Sequence, residues 1–273
     1  MSARSHHGAR PVLHRVEHGM FVRDYPGEAP TPLLFIHGLG ESGLCFESIV
    51  EHPELLRFPC AVIDLPGYGR SSWQAEPGSL LQLAQRVTTW AEQSTNKPVL
   101  VGHSMGGVVA LLAAERHSQT FAGVVDVDGN KSLEDCAFSG RAAKMALEQF
   151  VGGGFDAMML DIHGQGAGDA AHRGYYASLR LCDPRAYHAH SHELVMLSEG
   201  ERLADRLAGL STPKLYVAGQ PGGACCRSME LLARAGVETV SIEPSGHWPF
   251  IDRPDAFASA LVGFLETIDT TAP

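Results

Sequence analysis

The sequence predicts an α/β fold: a doubly wound, mostly parallel sheet with a helical cap inserted into it. Short runs rich in valine, isoleucine and leucine recur without strict alternation, which is typical of strands buried on both faces. Between these runs lie segments whose apolar residues have helical spacing. Such alternation of strand and helix indicates a parallel sheet with right-handed crossovers.

Each predicted strand is a short apolar run followed by turn residues. Residues 12–22 alternate weakly and predict an opening antiparallel strand or hairpin. The other strands are predicted at residues 32–36, 58–63, 98–101, 121–127, 214–218 and 237–242. Helices are predicted at residues 79–92, 105–115, 229–235 and 255–266.

One long segment interrupts this alternation. From residue 131 to about residue 205 there is no convincing buried strand, and the composition is rich in Ala, Gly, Met, Leu and His. A helical insertion between two strands of a sheet is expected to cover the ends of the strands. The predicted core is therefore residues 1–131 and 206–273, and the predicted cap is residues 132–205.

Composition and charge limit the function classes. The chain has 273 residues, 44% of them hydrophobic and 19% charged, which is an ordinary globular composition. A net charge of −10 disfavours nucleic acid and anionic lipid as partners. Residues 1–10 are polar, so a frayed tail is expected rather than a secretory signal. No apolar run is long enough for a membrane span, and the six cysteines show no CxxC spacing. We expect a cytoplasmic protein with reduced thiols, either a monomer or a homodimer.

The segment Gly102-His-Ser104-Met-Gly106 fits the pattern G-x-S-x-G. A predicted strand precedes it and an alanine-rich helix follows. In this setting the serine lies on a sharp turn, where its hydroxyl stands clear of the sheet and the flanking glycines avoid collisions. The sequence therefore predicts Ser104 as a nucleophile at the start of a helix, whose N-terminus favours negative charge.

With three further motifs the chain resembles the α/β-hydrolase superfamily over most of its length outside the cap. These are His37-Gly-Leu-Gly40, Asp64-Leu-Pro-Gly-Tyr-Gly-Arg-Ser71 and Ser245-Gly-His247. The resemblance implies serine hydrolysis without a metal or an organic cofactor. It also implies an oxyanion hole formed by the backbone N–H groups of Leu39 and Met105, which hold the oxygen that becomes negative when the serine attacks.

The same resemblance implies that His247 is the base, because it follows the last strand in the order serine, acid, histidine. The acid usually follows the strand before the histidine strand, but residues 219–223 contain no carboxylate. Some members place the acid after the preceding strand, where this chain has Asp126 and Asp128. Asp128 is preferred because it lies at the carboxyl end of the strand, and Asp126 is the second choice.

A cluster of histidines lies in the predicted cap. His188, His190 and His192 alternate, and alternate histidines occur as metal ligands. The aspartate of the HxHxDH metal motif is missing, so a solvated or pocket-rim cluster is expected instead, without a metal.

The function expected from these residues is hydrolysis of a small-molecule ester, lactone or thioester, small to medium in size and largely apolar, through an acyl-serine intermediate. Two alternatives remain open at this stage. The same Ser-His pair on this fold can serve a C–C bond hydrolase, a lyase or a cyclase, since the cap and pocket select the substrate. A low-turnover small-molecule receptor could also keep the fold.

Overall fold

A single eight-stranded sheet organises the protein, in a computed structural model that describes residues 10–269. The strand order is β1-β2-β4-β3-β5-β6-β7-β8, and β1 and β2 are antiparallel to their neighbours while the rest are parallel. The strands are β1 Leu13–Glu17, β2 Met20–Tyr25, β3 Leu33–Ile36, β4 Cys60–Asp64, β5 Val99–His103, β6 Gly123–Val127, β7 Lys214–Gly222 and β8 Thr239–Gly246. This architecture confirms the predicted fold class.

The predicted strands are all present, with two differences in length. The segment 12–22 forms a hairpin, β1–β2, which turns at His18 and Gly19. Strands β7 and β8 run about four residues beyond their predicted ends, because Pro221 and Gly222 pair with Ser245 and Gly246 after a register shift. Pairing with a neighbouring strand therefore keeps polar and glycine residues in the sheet, although the local sequence pattern assigns them to turns. The predicted frayed tail lies outside the described residues, apart from Arg10.

Helices cover the sheet and connect its strands. They are α1 Glu47–Val50, α2 Leu80–Ala91, α3 Met105–Arg116, α4 Ser139–Ala143, α5 Leu147–Gln149, α6 Phe155–Gln165, α7 Ala170–Leu179, α8 Pro184–Glu199, α9 Leu203–Ala208, α10 Cys226–Ala235, α11 Pro249–Asp252 and α12 Pro254–Asp269. Local chemistry explains their starts: Ser79 and Gln82 form a capping box at α2, and Asp183 caps α8 ahead of Pro184. No helix among residues 10–269 combines the length and apolar composition that crossing a membrane requires.

Helices α4 to α9 lie between β6 and β7, and residues of α4, α7 and α8 line the cavity at the carboxyl ends of the parallel strands. Helix α8 fastens this segment to the core. His190 Nδ1 lies 2.6 Å from the Tyr68 hydroxyl, and Glu193 accepts a 3.0 Å hydrogen bond from the Leu80 amide at the start of α2. Through these contacts helix α8 covers the edge of the sheet at which the motif residues lie.

The expectation of a solvated or pocket-rim histidine cluster is wrong for His188 and His190. Both side chains are buried on helix α8, where His188 contacts the Met145 carbonyl at 2.8 Å and His190 contacts Tyr68. Residues two apart on a helix point in different directions, so the alternation does not converge on one point. No group of three or more His, Cys, Asp or Glu within residues 10–269 is arranged to hold a metal ion.

A buried ion pair lies at the end of β6. Lys131 Nζ is 2.8 Å from Asp126 Oδ2, and both side chains are fully buried. The ammonium also donates to the carbonyls of Gly129 and Asn130 at 2.8 and 3.2 Å. Each charge thus has compensating partners, which burial in a low-dielectric interior requires. The pair anchors the chain where it leaves the sheet and enters the cap.

Removing one member of this pair should strongly destabilise the fold. We expect Lys131→Met to lower the free energy of unfolding by about 3 kcal/mol or more, because Asp126 is left buried without its counter-charge. The control is Arg141→Ala, which removes the exposed pair between Arg141 and Asp161 and should change the value by less than about 1 kcal/mol. Denaturant unfolding measures both, and similar losses in the two variants would contradict the role of burial.

Candidate active site

Ser104 occupies a strained turn between strand β5 and helix α3. Its backbone has φ 52° and ψ −117°, outside the conformations that non-glycine residues normally adopt. The turn is held in place by a 2.8 Å hydrogen bond from the Ser104 amide to the Val127 carbonyl on the neighbouring strand β6. The serine therefore stands at the carboxyl end of the central parallel strands, at the N-terminus of a helix.

The two glycines of the motif are required by close backbone contacts. A Cβ atom on Gly102 would lie 2.2 Å from the carbonyl oxygen of Gly106. A Cβ on Gly106 would lie 2.1 Å from the carbonyl oxygen of Ile36 in the adjacent strand β3. No side chain fits at either distance, so the tight turn depends on glycine at both positions.

The turn after β3 faces the serine. Leu39 and Ser104 line the same cavity, together with Gly38. Met105 is the first residue of α3, and the first amides of a helix have no partner within it. The sequence predicts the amides of Leu39 and Met105 as oxyanion donors. The first belongs to the turn after β3, which faces the serine, and the second to the first residue of the helix that follows the serine.

His247 and Asp128 come together from strands β8 and β6. His247 Nδ1 lies 3.5 Å from Asp128 Oδ2, and the histidine ring is about one quarter exposed. No closer partner for this oxygen is found among the described residues. A contact of this length is at the limit of a hydrogen bond, and such bonds at active sites often shorten when substrate binds.

Asp128 is held firmly although it is buried. Its backbone has a positive φ of 48°, and its Oδ1 accepts hydrogen bonds from the amides of Gly219 and Ala224 at 3.0 and 3.1 Å. Burial raises the pKa of this carboxyl above its ordinary value, while His247 and the Gly219 amide act in the opposite direction. The arrangement fixes Oδ2 towards the imidazole.

Asp126, the second choice for the acid, points elsewhere. Its Oδ2 pairs with Lys131, and its Oδ1 accepts a 3.1 Å hydrogen bond from the Gly129 amide. Alternation along a continuing strand would place Asp126 and Asp128 on the same face of the sheet. The strand ends at Val127, however, and of the two only Asp128 contacts His247.

Ser104 and His247 line one small cavity beneath the cap. Its volume is ≈ 30 Å³, about the space of one water molecule, and Phe138, Tyr175 and Leu194 of the cap segment form part of its wall. A larger space of ≈ 340 Å³ lies beside it and is mostly apolar. A concave region of ≈ 690 Å³ lies along the hairpin β1–β2, and none of the predicted site residues lines it.

Two residues that the sequence does not single out also line the small cavity: Glu41 and His103. Glu41 is 2% exposed and His103 is 1% exposed, and Glu41 Oε2 lies 2.9 Å from His103 Nδ1. The available sequence signal is weak. His103 occupies a variable position of the serine motif, and Glu41 follows the His-Gly turn by a few residues.

The family model of the α/β hydrolase family matches residues 33–260, and the chain belongs to this family. The match covers every strand of the parallel sheet and the candidate site. The protein is therefore a hydrolase of the α/β-hydrolase class, as the resemblance of its motifs implies.

Similar proteins include esterases. The chain is 29% identical over 258 residues to a pimeloyl-[acyl-carrier protein] methyl ester esterase of Edwardsiella ictaluri, covering 88% of this chain and 95% of that protein. The fold of the present chain is similar to that of a thermophilic esterase from Thermogutta terrifontis. The TM-score is 0.74 at 20% identity, and the match covers 94% of this chain and 99% of the other. A hydrolase from Pseudomonas aeruginosa gives a TM-score of 0.72 at 21% identity, covering 94% and 99%.

Adding one methyl group at the turn that holds Ser104 should damage the site. We expect Gly106→Ala to lower the free energy of unfolding by about 2 kcal/mol and to abolish activity, since its Cβ collides with the Ile36 carbonyl. Gly263→Ala in helix α12 is the matched control, because its Cβ meets nothing within 4 Å and alanine favours a helix. Denaturant unfolding compares the two, and an equally stable Gly106→Ala protein would contradict the packing described.

Proposed function

We propose that this hydrolase cleaves carboxylic esters, including lactones and thioesters, of small to medium and largely apolar compounds through an acyl-Ser104 intermediate. One observation carries the proposal: the strained Ser104 and the imidazole of His247, backed by Asp128, line the same cavity beneath the cap. A serine, a histidine base and a buried acid that supports the base serve nucleophilic acyl transfer. The similarity to curated methyl ester esterases supports an ester as the substrate.

The first half of the reaction forms the acyl-enzyme. Ser104 Oγ attacks the carbonyl carbon while His247 Nε2 accepts the hydroxyl proton, and Asp128 stabilises the resulting imidazolium through Nδ1. The amides of Leu39 and Met105 donate to the carbonyl oxygen as it becomes negative. The tetrahedral intermediate then expels the alcohol, thiol or ring oxygen, which takes the proton back from His247.

The second half consumes water. His247 accepts a proton from a water molecule as the water oxygen attacks the acyl carbon, and the same amides hold the second oxyanion. When this intermediate collapses, the carboxylic acid leaves and the proton returns to Ser104. All steps use side chains and amides of this chain together with one water molecule. The products are one acid and one alcohol or thiol, or a single hydroxy acid when the substrate is a lactone.

The space beside the catalytic cavity accounts for an apolar substrate. The cavity itself has room for little more than the reacting group, whereas half of the residues that line the adjoining pocket of ≈ 340 Å³ are alanine, glycine or aromatic. Glu41, Tyr175 and Trp248 line both spaces, so the two spaces adjoin at these side chains. We assign the apolar portion of the substrate to this pocket, where small side chains leave room for it.

Substituting the proposed triad should remove activity without unfolding the protein. We expect Ser104→Ala to lower kcat on a p-nitrophenyl ester at least about a thousandfold, because the nucleophile is lost. Asp128→Asn should lower it by about 10³- to 10⁴-fold through loss of the imidazole tautomer and orientation. Ser118→Ala, on the turn before β6, is the control and should keep full activity. Full activity of Ser104→Ala in folded protein would refute the proposal.

The size of the apolar pocket should limit the substrate. Gly174 in helix α7 lines the pocket, and a Cβ atom there would meet nothing within 4 Å. We expect Gly174→Phe to reduce kcat/KM for an octanoate ester at least about tenfold, since one lost methylene contact is worth about 1 kcal/mol, while acetate ester hydrolysis is retained. Gly164→Phe in helix α6, equally unobstructed and outside the pocket, is the matched control. An unchanged chain-length profile in Gly174→Phe would place the substrate elsewhere.

A further inference from the structure

The carboxylate of Glu41 joins three parts of the site. Its Oε2 accepts a 2.6 Å hydrogen bond from the Gly38 amide and lies 2.9 Å from His103 Nδ1. Its Oε1 accepts a hydrogen bond from the indole N–H of Trp248. Amide and indole nitrogens can only donate, so the carboxyl must present acceptor oxygens to both. Burial opposes ionisation, but the charge and hydrogen bond of His103 outweigh it and lower the pKa of Glu41 to about 2.

His103 has an acceptor at each ring nitrogen. Nδ1 faces the ionised carboxylate of Glu41, and Nε2 lies 2.7 Å from the backbone carbonyl oxygen of His247. A carbonyl oxygen and an ionised carboxylate accept hydrogen bonds and donate none. Both hydrogen bonds therefore form only when both nitrogens carry a proton. Burial acts to lower the pKa of His103, but the charge and hydrogen bond of Glu41 and the His247 carbonyl bring it above its ordinary value.

We propose that His103 is a permanent imidazolium, paired with Glu41, that positions the catalytic base His247 by donating to its backbone carbonyl. This inference rests on the proposed role of His247 and adds a positioning residue to it. The contact ties the residue before the nucleophile to the loop that carries the base. Trp248, the next residue of that loop, is held by the same carboxylate.

The charge of His103 also acts on the imidazole of His247. The two ring centroids are 4.7 Å apart. Asp128 lies 3.5 Å from His247, and Glu41, Glu134 and Asp135 add negative charge around the adjoining cavities. The positive ring of His103 opposes the charge of these acids at short range.

Nitrogen NMR tests the protonation state directly. In ¹⁵N-labelled protein we expect both ring nitrogens of His103 to have the shifts of protonated nitrogens from about pH 5 to about pH 9. His37 is an internal reference, because its Nδ1 donates to the Gly38 carbonyl and its Nε2 accepts from the Leu65 amide. His37 should therefore show one protonated and one unprotonated nitrogen in the same spectra. An unprotonated nitrogen on His103 at neutral pH would overturn the inference.

Two variants separate the charge from the fold. Glu41→Gln removes the carboxylate charge, and we expect His103 to lose one proton at neutral pH in its NMR spectrum. His103→Gln removes the cation. It also assigns the His103 signals, because these signals are missing from the spectrum of the variant. Its kcat/KM should fall about tenfold, because the loop that carries His247 loses the hydrogen bond to its backbone carbonyl, and the ring-nitrogen signals of His247 should move.

A loss of activity with unmoved ring-nitrogen signals of His247 would show a merely structural role for His103 and refute the positioning of the base. The NMR measurement needs no substrate, so its outcome is independent of the proposed esterase function. Failure of that function would appear instead as an active Ser104→Ala protein.

Discussion

The site depends on one constraint, the backbone conformation of Ser104 at the end of strand β5. A positive φ in a serine is unfavourable, and it persists only where the surroundings determine it. Here the neighbouring strand fixes the Ser104 amide, and the absence of side chains at Gly102 and Gly106 lets the strand and the helix meet. The turn in return exposes the hydroxyl at the sheet edge where the other strands also end. The chemistry that we propose for the protein thus depends on how its central strand turns into a helix.

The other site residues reach this edge through the order of the strands. Asp128 follows β6, the direct neighbour of β5, and His247 follows β8 two strands further. The Glu41 carboxylate then links the turn after β3, the end of strand β5 and the loop after β8 through nitrogen donors. A buried charge requires such partners, and satisfying it fixes the relative positions of elements that are far apart in the chain.

The sequence predicts those parts of the molecule that depend on local patterns. The parallel strands appear as apolar runs, and Ser104 and His247 stand out because a short motif surrounds each. Asp128 follows only from the missing carboxylate at residues 219–223 together with strand order. The role of Glu41 and His103 could not be predicted, since their hydrogen bonds connect residues 62 and 144 positions apart. The burial of His188 and His190 likewise depends on how helix α8 docks, which alternation in the sequence does not encode.

The most direct test of this account is the covalent state of Ser104 during turnover. Wild-type protein mixed with an activated ester, quenched within milliseconds and digested, can be examined by mass spectrometry for the peptide containing residue 104. The account predicts that the acyl group of the substrate is attached to Ser104 and disappears as the ester is consumed. Continued hydrolysis in which this peptide never carries the acyl group would contradict it.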